Sequence, residues 1–191
     1  MGKETEQKQE IVNQGVHTYS QEEAYVWPEE PVLREQLEWF QDQKLALMVH
    51  WGVYNQLGMV ASWALSDEDA EWSRKTMDWT DDGEVFKRQY RALNRAFDPV
   101  AFQPEEWAKM AKKCGFRYLI LTTKHHDGFC LWDTAYTEYK TTAEECPFHT
   151  HKYADIVRAM FDAFRKEGLG IGAYFSKADW HCPASVSYTH L

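Results

Sequence analysis

What the sequence lacks narrows its function before any motif is read. No apolar run approaches the roughly 20 residues that a bilayer-spanning helix needs, so no transmembrane helix is expected. The opening stretch, MGKETEQKQEIVNQG, has none of the apolar residues in series that a secretory signal requires, and a cytoplasmic location is expected. Basic residues are in deficit: 21 Lys and Arg stand against 30 Asp and Glu, a formal net charge of −9. Phosphate-bearing partners are held by basic patches, so neither nucleic acid nor an anionic membrane surface is an expected partner. Cysteine is sparse, and Cys114, Cys130, Cys146 and Cys182 form no C-x-x-C pair. Free thiols of a reducing compartment fit this spacing better than a disulfide framework or a structural zinc site. There is no G-x-S-x-G elbow, no P-loop and no G-x-G-x-x-G. The run GLGIG, Gly168 to Gly172, precedes and enters a strand rather than following one, so it is no phosphate cradle.

What is present is a large apolar and aromatic content, 44% hydrophobic with nine Trp, enough for one substantial core. Three apolar runs read as buried parallel strands: Leu45 to Val49, Tyr118 to Thr123 and Gly170 to Phe175. Helices are predicted between them. Phe86, Tyr90, Leu93 and Phe97 line one helical face that Asp98-Pro99 ends. Pro104 opens a second helix with a stripe of Trp107, Met110, Ala111 and Cys114, closed by Gly115. Tyr153, Ile156, Val157, Met160, Phe161 and Phe164 mark a third, closed by Gly168. This alternation defines an α/β fold with a parallel sheet. The Trp-rich span from Trp51 to Met77 reads as a long irregular loop over the sheet edge. Residues 1–20 read as a polar mobile leader and 21–185 as the folded domain.

Every predicted strand runs into chemistry-bearing residues at its C-terminal end, where α/β folds gather their sites. The first is followed by His50-Trp51-Gly52, the second by Lys124-His125-His126-Asp127-Gly128, the third by SKADWH. Adjacent histidines point in different directions, and a neutral imidazole both donates and accepts hydrogen bonds, which suits a hydroxyl-bearing ligand. Read alone, the His125–His126 pair serves structure as readily as function, and His50 is as readily a satisfied core histidine. Asp127-Gly128 is a turn signal in which the carboxylate bonds its own downstream backbone. Asp133 and Glu138 are expected to be solvated, and His149 and His151 to belong to a surface loop rather than a metal site. Trp72 and Trp132 are either loop packing or an aromatic wall for a sugar ring.

Five motifs taken together resemble the α-L-fucosidases of glycoside hydrolase family 29: VHWGVY, EWSR, FDP, LTTKHHDGFCLW and AYFSKADWH, in that order from Val49 to His181. The resemblance implies the N-terminal part, about three βα units, of a (β/α)₈ TIM barrel. It implies hydrolysis of terminal α-L-fucosyl residues from fucosylated glycans or glycosides, by a retaining double displacement without cofactor or metal. His50, Glu71, Trp72, His125, His126 and Tyr174 are implied to contact the fucose, with Trp132 close by. Retaining glycosidases use two carboxyl groups about 5 Å apart. The family places its Asp nucleophile at the end of a fourth strand and its acid/base further on, so both are expected downstream of this chain and the chain alone is expected to be inactive. The tail VSYTHL, residues 186–191, back-translates to a sequence like a transposon end used in sequencing libraries and is expected to be non-native. Two other readings are a metal-dependent barrel hydrolase using His50, His125, His126 and Asp127, and a non-catalytic fucose-binding protein.

Overall fold

The computed structural model describes residues 26–59, 61–66, 71–74 and 79–182, without the side chains of Glu71 and Trp72. The chain divides into two compact units, Met1–Asp42 with Ser187–Leu191, and Gln43–Val186. The expected leader 1–20 and the expected non-native tail 186–191 lie outside the described residues.

The first unit contains helix α1, Pro31–Asp42. Proline at the first helical position loses no hydrogen bond. The Glu30 carboxylate accepts from the free N–H groups of Val32 at 3.1 Å and Leu33 at 2.5 Å, and its charge opposes the helix dipole.

The second unit is built on a parallel sheet in the order β1 (Ala46–Val49), β2 (Tyr118–Lys124), β3 (Gly170–Phe175). The register aligns Met48, Ile120 and Gly172 in one row, and Val49 with Leu121 and Ala173 in the next. Three helices of a turn or more of regular length follow the expected pattern: α3 (Gly83–Arg91), α4 (Pro104–Lys113) and α5 (Ile156–Lys166). Their ends are capped as their residues dictate. Asp82 accepts from the N–H groups of Glu84 and Val85, and Asp155 from that of Arg158. Gly115 and Gly168 end α4 and α5 at φ +84° and +74°, left-handed positions that favour glycine.

Leu119 and Leu121 of β2 are fully buried with Ile156, Met160 and Phe164 of α5 in one core cluster, and α5 packs on β2 and β3 while α4 packs on α5. The predicted face of α4 is corrected by about one residue. Pro104, Ala108 and Ala111 are buried, whereas Met110 is 56% exposed and Cys114 is exposed. Small alanines let α4 approach its neighbours closely, and Trp107 packs from the edge of that face. The predicted helix from Phe86 to Phe97 tightens into a 3₁₀ turn at Ala92–Ala96.

The span expected to be an irregular loop is more ordered than that. It carries 3₁₀ turns at Val53–Leu57 and Ser62–Leu65 and the short helix α2, Glu71–Arg74. Val53, Tyr54, Ser62, Ala64 and Leu65 are buried, so this segment forms part of the core that floors the sheet edge. Among the described residues no helix is long and apolar enough to cross a membrane.

Candidate functional site

The C-terminal ends of the three strands bring His50, His125, His126 and Tyr174 together. Register places His50, just past β1, level with Thr122 of β2 and Tyr174 of β3. The Thr122 hydroxyl lies 2.7 Å from His50 Nδ1. An irregularity between Thr122 and Lys124 then inserts Thr123 opposite no partner, so that Lys124 pairs with Phe175. Such a bulge shifts side-chain alternation by one. Lys124 is thereby set over the Phe175 ring at 4.7 Å, and His125 is returned to the face that carries His50 and Tyr174.

The rings pack tightly. His50 and His125 are 4.9 Å apart and near perpendicular, and His125 lies parallel to Tyr174 at 6.1 Å. His126 meets His125 at 4.7 Å and stacks on Trp180 at 4.7 Å, while Trp63 closes on His126 at 5.0 Å. Ser62 fixes the tautomer of His125. Its backbone N–H donates to Nδ1 at 3.4 Å and its hydroxyl lies 2.5 Å from the same nitrogen. A backbone N–H can only donate, so Nδ1 is the acceptor and Nε2 carries the proton.

Burial sets the charge state. It depresses His125 to about 3, with the neighbouring His126, His50 and Lys124 adding to the effect. Burial also lowers His50 and is the main cause lowering His126. All three are therefore neutral imidazoles at pH 7. Tyr54 is fully buried beside His50 and His125, with ring centroids 5.7 Å from each, and its hydroxyl has no hydrogen-bond partner among the described residues.

Two carboxylates near the strand ends are committed elsewhere. Asp127 is 2% exposed; its Oδ1 accepts from the Phe129 N–H at 3.1 Å and its Oδ2 from the Tyr90 hydroxyl at 2.9 Å. The expected turn role is present, and the tie to Tyr90 of α3 is an addition to it. Asp179 pairs with the buried Lys124 at 3.3 Å and accepts from the N–H groups of His181 and Cys182. The ligand set of the metal-dependent reading thus does not converge, because the Asp127 carboxylate turns to Tyr90 and Phe129. Among the described residues no three His, Cys, Asp or Glu side chains are grouped to hold a metal ion.

The remaining sequence-level candidates are placed as follows. Glu71 and Trp72 begin α2, and their side chains lie outside the described residues. Trp132 faces the Phe175 ring at 6.2 Å rather than the imidazoles. Asp133 is exposed but accepts from Lys140 and Thr142. His149 is bonded to the Cys146 carbonyl and His151 stacks on Phe148, both structural roles. Sequence reasoning missed Ser62, Trp63, Thr122 and Trp180. Trp180 stands inside the AYFSKADWH motif, and Thr122 inside LTTKHHDGFCLW, so their motifs carried the only signal.

Gly128 is the hinge of this arrangement, at φ +81°. A Cβ there would lie 2.5 Å from Asp179 Oδ1 and 2.7 Å from the His181 Cβ. Gly128→Ala is expected to cost about 1–3 kcal/mol through left-handed strain and displacement of the Asp179 loop. Urea unfolding of the two proteins measures it; an unchanged midpoint would show that the loop yields freely.

A parallel strand edge that gathers neutral imidazoles, a phenol and indoles defines an α/β protein with a candidate ligand site at its C-terminal strand ends. Comparison with known proteins makes the class specific. Residues 12–190 match the family model of the α-L-fucosidases. The tissue α-L-fucosidase of Rattus norvegicus is 30% identical over 145 residues, 76% of this chain and 30% of that protein. Among solved structures, α-L-fucosidase isoenzyme 1 from Paenibacillus thiaminolyticus superposes with a TM-score of 0.63 at 36% identity, over 81% of this chain and 31% of that one. A family 29 α-L-fucosidase from Bacteroides thetaiotaomicron, trapped as a covalent intermediate with 2-fluoro-fucosyl fluoride, gives 0.60 at 31% identity over 82% and 32%. The chain belongs to the α-L-fucosidase family, glycoside hydrolase family 29. It spans between 16% and 31% of the length of the curated relatives it matches.

Proposed function

We propose that this chain forms the opening βα units of a (β/α)₈ barrel that hydrolyses terminal α-L-fucosyl residues with retention of configuration. The observation that carries the proposal is the convergence of the neutral imidazoles of His50, His125 and His126 with the Tyr174 ring on one strand edge. Imidazole N–H and N: groups serve the sugar hydroxyls, and the indoles of Trp63 and Trp180, which flank His126, offer apolar surface to the C–H face. The sheet face bearing Met48, which is 51% exposed, and Ile120 is the one that a closed barrel turns inward. The covalent intermediate trapped in the Bacteroides relative supports a retaining route.

Retention requires two carboxyl groups about 5 Å apart, one attacking and one exchanging a proton. Asp127 and Asp179 are bound to other groups, so the pair is assigned to the part of the barrel beyond these residues. The 191-residue chain is expected to release no nitrophenol from 4-nitrophenyl α-L-fucoside. L-Fucose is expected to perturb the imidazole resonances of His50 and His125 in the chain, with D-glucose inert at the same concentration. Turnover by the purified chain would place the carboxylate pair within it, and equal responses to both sugars would remove the fucose assignment.

A further inference from the structure

A further cavity, of about 400 Å³, lies between α3 with the turn after it and the Tyr139–His181 ring pair. Its walls include Arg88, Arg91, Asn94, Arg95, Tyr139 and His181. Two features mark it as built for a ligand. The guanidinium groups come from positions i, i+3 and i+7 of α3 and the 3₁₀ turn after it, which sets them along one side of the helix. The Tyr139 and His181 rings lie face to face, 4.4 Å apart and 12° from parallel, as a flat aromatic wall.

The charges in the cavity are only partly answered. Arg95 pairs with Glu145 at 3.4 Å, and Arg91 donates to the Trp180 carbonyl at 3.1 Å. The Arg88 guanidinium makes no ion pair or hydrogen bond among the described residues. Glu138 and Glu145 are the acidic members of the lining, so three guanidinium groups face two carboxylates. In a chain of net charge −9, a local excess of cation is unusual. A guanidinium fork matches the paired oxygens of a sulfate ester or carboxylate, while the carboxylates and Asn94 suit sugar hydroxyls.

Trp180 joins this cavity to the imidazole pocket. Its ring stacks on His126, and its carbonyl receives Arg91. We infer that the cavity is a second carbohydrate subsite, one that takes an anionic sugar next to the unit held by the histidines. The placement of that neighbour rests on the fucosidase reading; the cavity's own chemistry does not.

The test is calorimetric titration of the chain with N-acetylglucosamine 6-sulfate, glucuronic acid, N-acetylglucosamine and inorganic sulfate. At least one anionic sugar is expected to bind at least tenfold more tightly than the neutral sugar and than inorganic sulfate. Arg88→Ala is expected to remove that preference with an unchanged melting temperature, and Arg88→Lys to restore part of it. Equal affinity for neutral and anionic sugars overturns the inference, as does a preference that survives Arg88→Ala. Inorganic sulfate binding as tightly as the sulfated sugar also overturns it, leaving a simple anion site. The two readings fail separately: a missing L-fucose response at His50 and His125 counts against the imidazole pocket and leaves this result standing.

Discussion

Asp127→Asn is expected to stabilise the protein at pH 7.5 by up to about 3 kcal/mol and to change little at pH 4. Asp127 is 2% exposed, and burial raises its carboxyl to about 6 despite hydrogen bonds from Phe129 and Tyr90. From an ordinary value of 3.8 this is roughly two pH units, or about 3 kcal/mol at 1.36 kcal/mol per unit. The sign follows from linkage: a raised folded-state value gives stability that is complete below about pH 4 and lost as pH rises through 6. An amide is neutral at every pH. It also reproduces the protonated acid's bonding, since its oxygen can accept from Phe129 and its NH₂ can donate to the Tyr90 oxygen. Asp127→Ala separates charge from bonding. It strands the Tyr90 hydroxyl and the Phe129 N–H, and is expected to fall about 2–4 kcal/mol below wild type at pH 4. Chemical unfolding across pH 4 to 8 reads all three proteins. A less stable Asp127→Asn protein at pH 7.5 would mean that the ionised carboxylate is favoured where it lies.

The same variant changes the acid limb. His125 is depressed to about 3, so its contribution is present above 6.5 and lost as pH falls towards 3. His50, His126 and His181 are lowered too, each with burial as the main cause. Between pH 6 and pH 4 the gain at Asp127 opposes this loss. Removing Asp127's titration therefore steepens the acid unfolding of the variant relative to wild type.

Why Asp127 was legible only as a turn, and His125 only as one of a pair, has a physical origin. Sequence shows where a strand stops: runs such as LALMV and YLILTT end in polar residues because the backbone leaves the core there. Register then carries His50 to Thr122 and Tyr174 with little freedom, so the strand-end residues could be grouped in advance. The bulge at Thr123 could not. It depends on how β2 meets β3, and it alone decides that His125 rather than Lys124 faces Tyr174. Ser62 and Trp63 were hidden for a different reason. They sit in a span with neither a 3.6-residue nor a 2-residue period, and reach His125 across 63 and 62 positions of chain through tertiary packing. The stripe of α4 was misread because Met110 is apolar yet exposed, while the buried Ala108 gives a weak hydrophobic signal. Trp132 was placed near the sugar by the family resemblance, and the ring contact it makes is with Phe175.

On the proposed function, His125→Phe is expected to lower kcat/KM of the complete enzyme for an aryl α-L-fucoside by roughly 10²–10⁴-fold, because a sugar hydroxyl would then enter a pocket without its donor. Ser62→Ala tests whether the tautomer is what counts. Without the hydroxyl, only the 3.4 Å contact from the backbone N–H holds Nδ1 as acceptor. A loss of about tenfold is expected, in line with one hydrogen bond of roughly 1 kcal/mol or a little more. Ser62→Thr restores the hydroxyl and is expected to recover most of it. A purely structural role would instead lower the melting temperature of Ser62→Ala and leave kcat/KM of the folded fraction intact. The stability of His125→Phe should move the other way from its activity. The substitution removes a buried imidazole that the fold keeps neutral against its ordinary tendency to bind a proton, so the variant is expected to resist acid better than wild type near pH 5. Sites that hold polar groups in apolar surroundings show this opposition of activity and stability. A His125→Phe protein that was both active and unchanged in its acid unfolding would place the sugar, and the depressed imidazole, somewhere other than this strand edge.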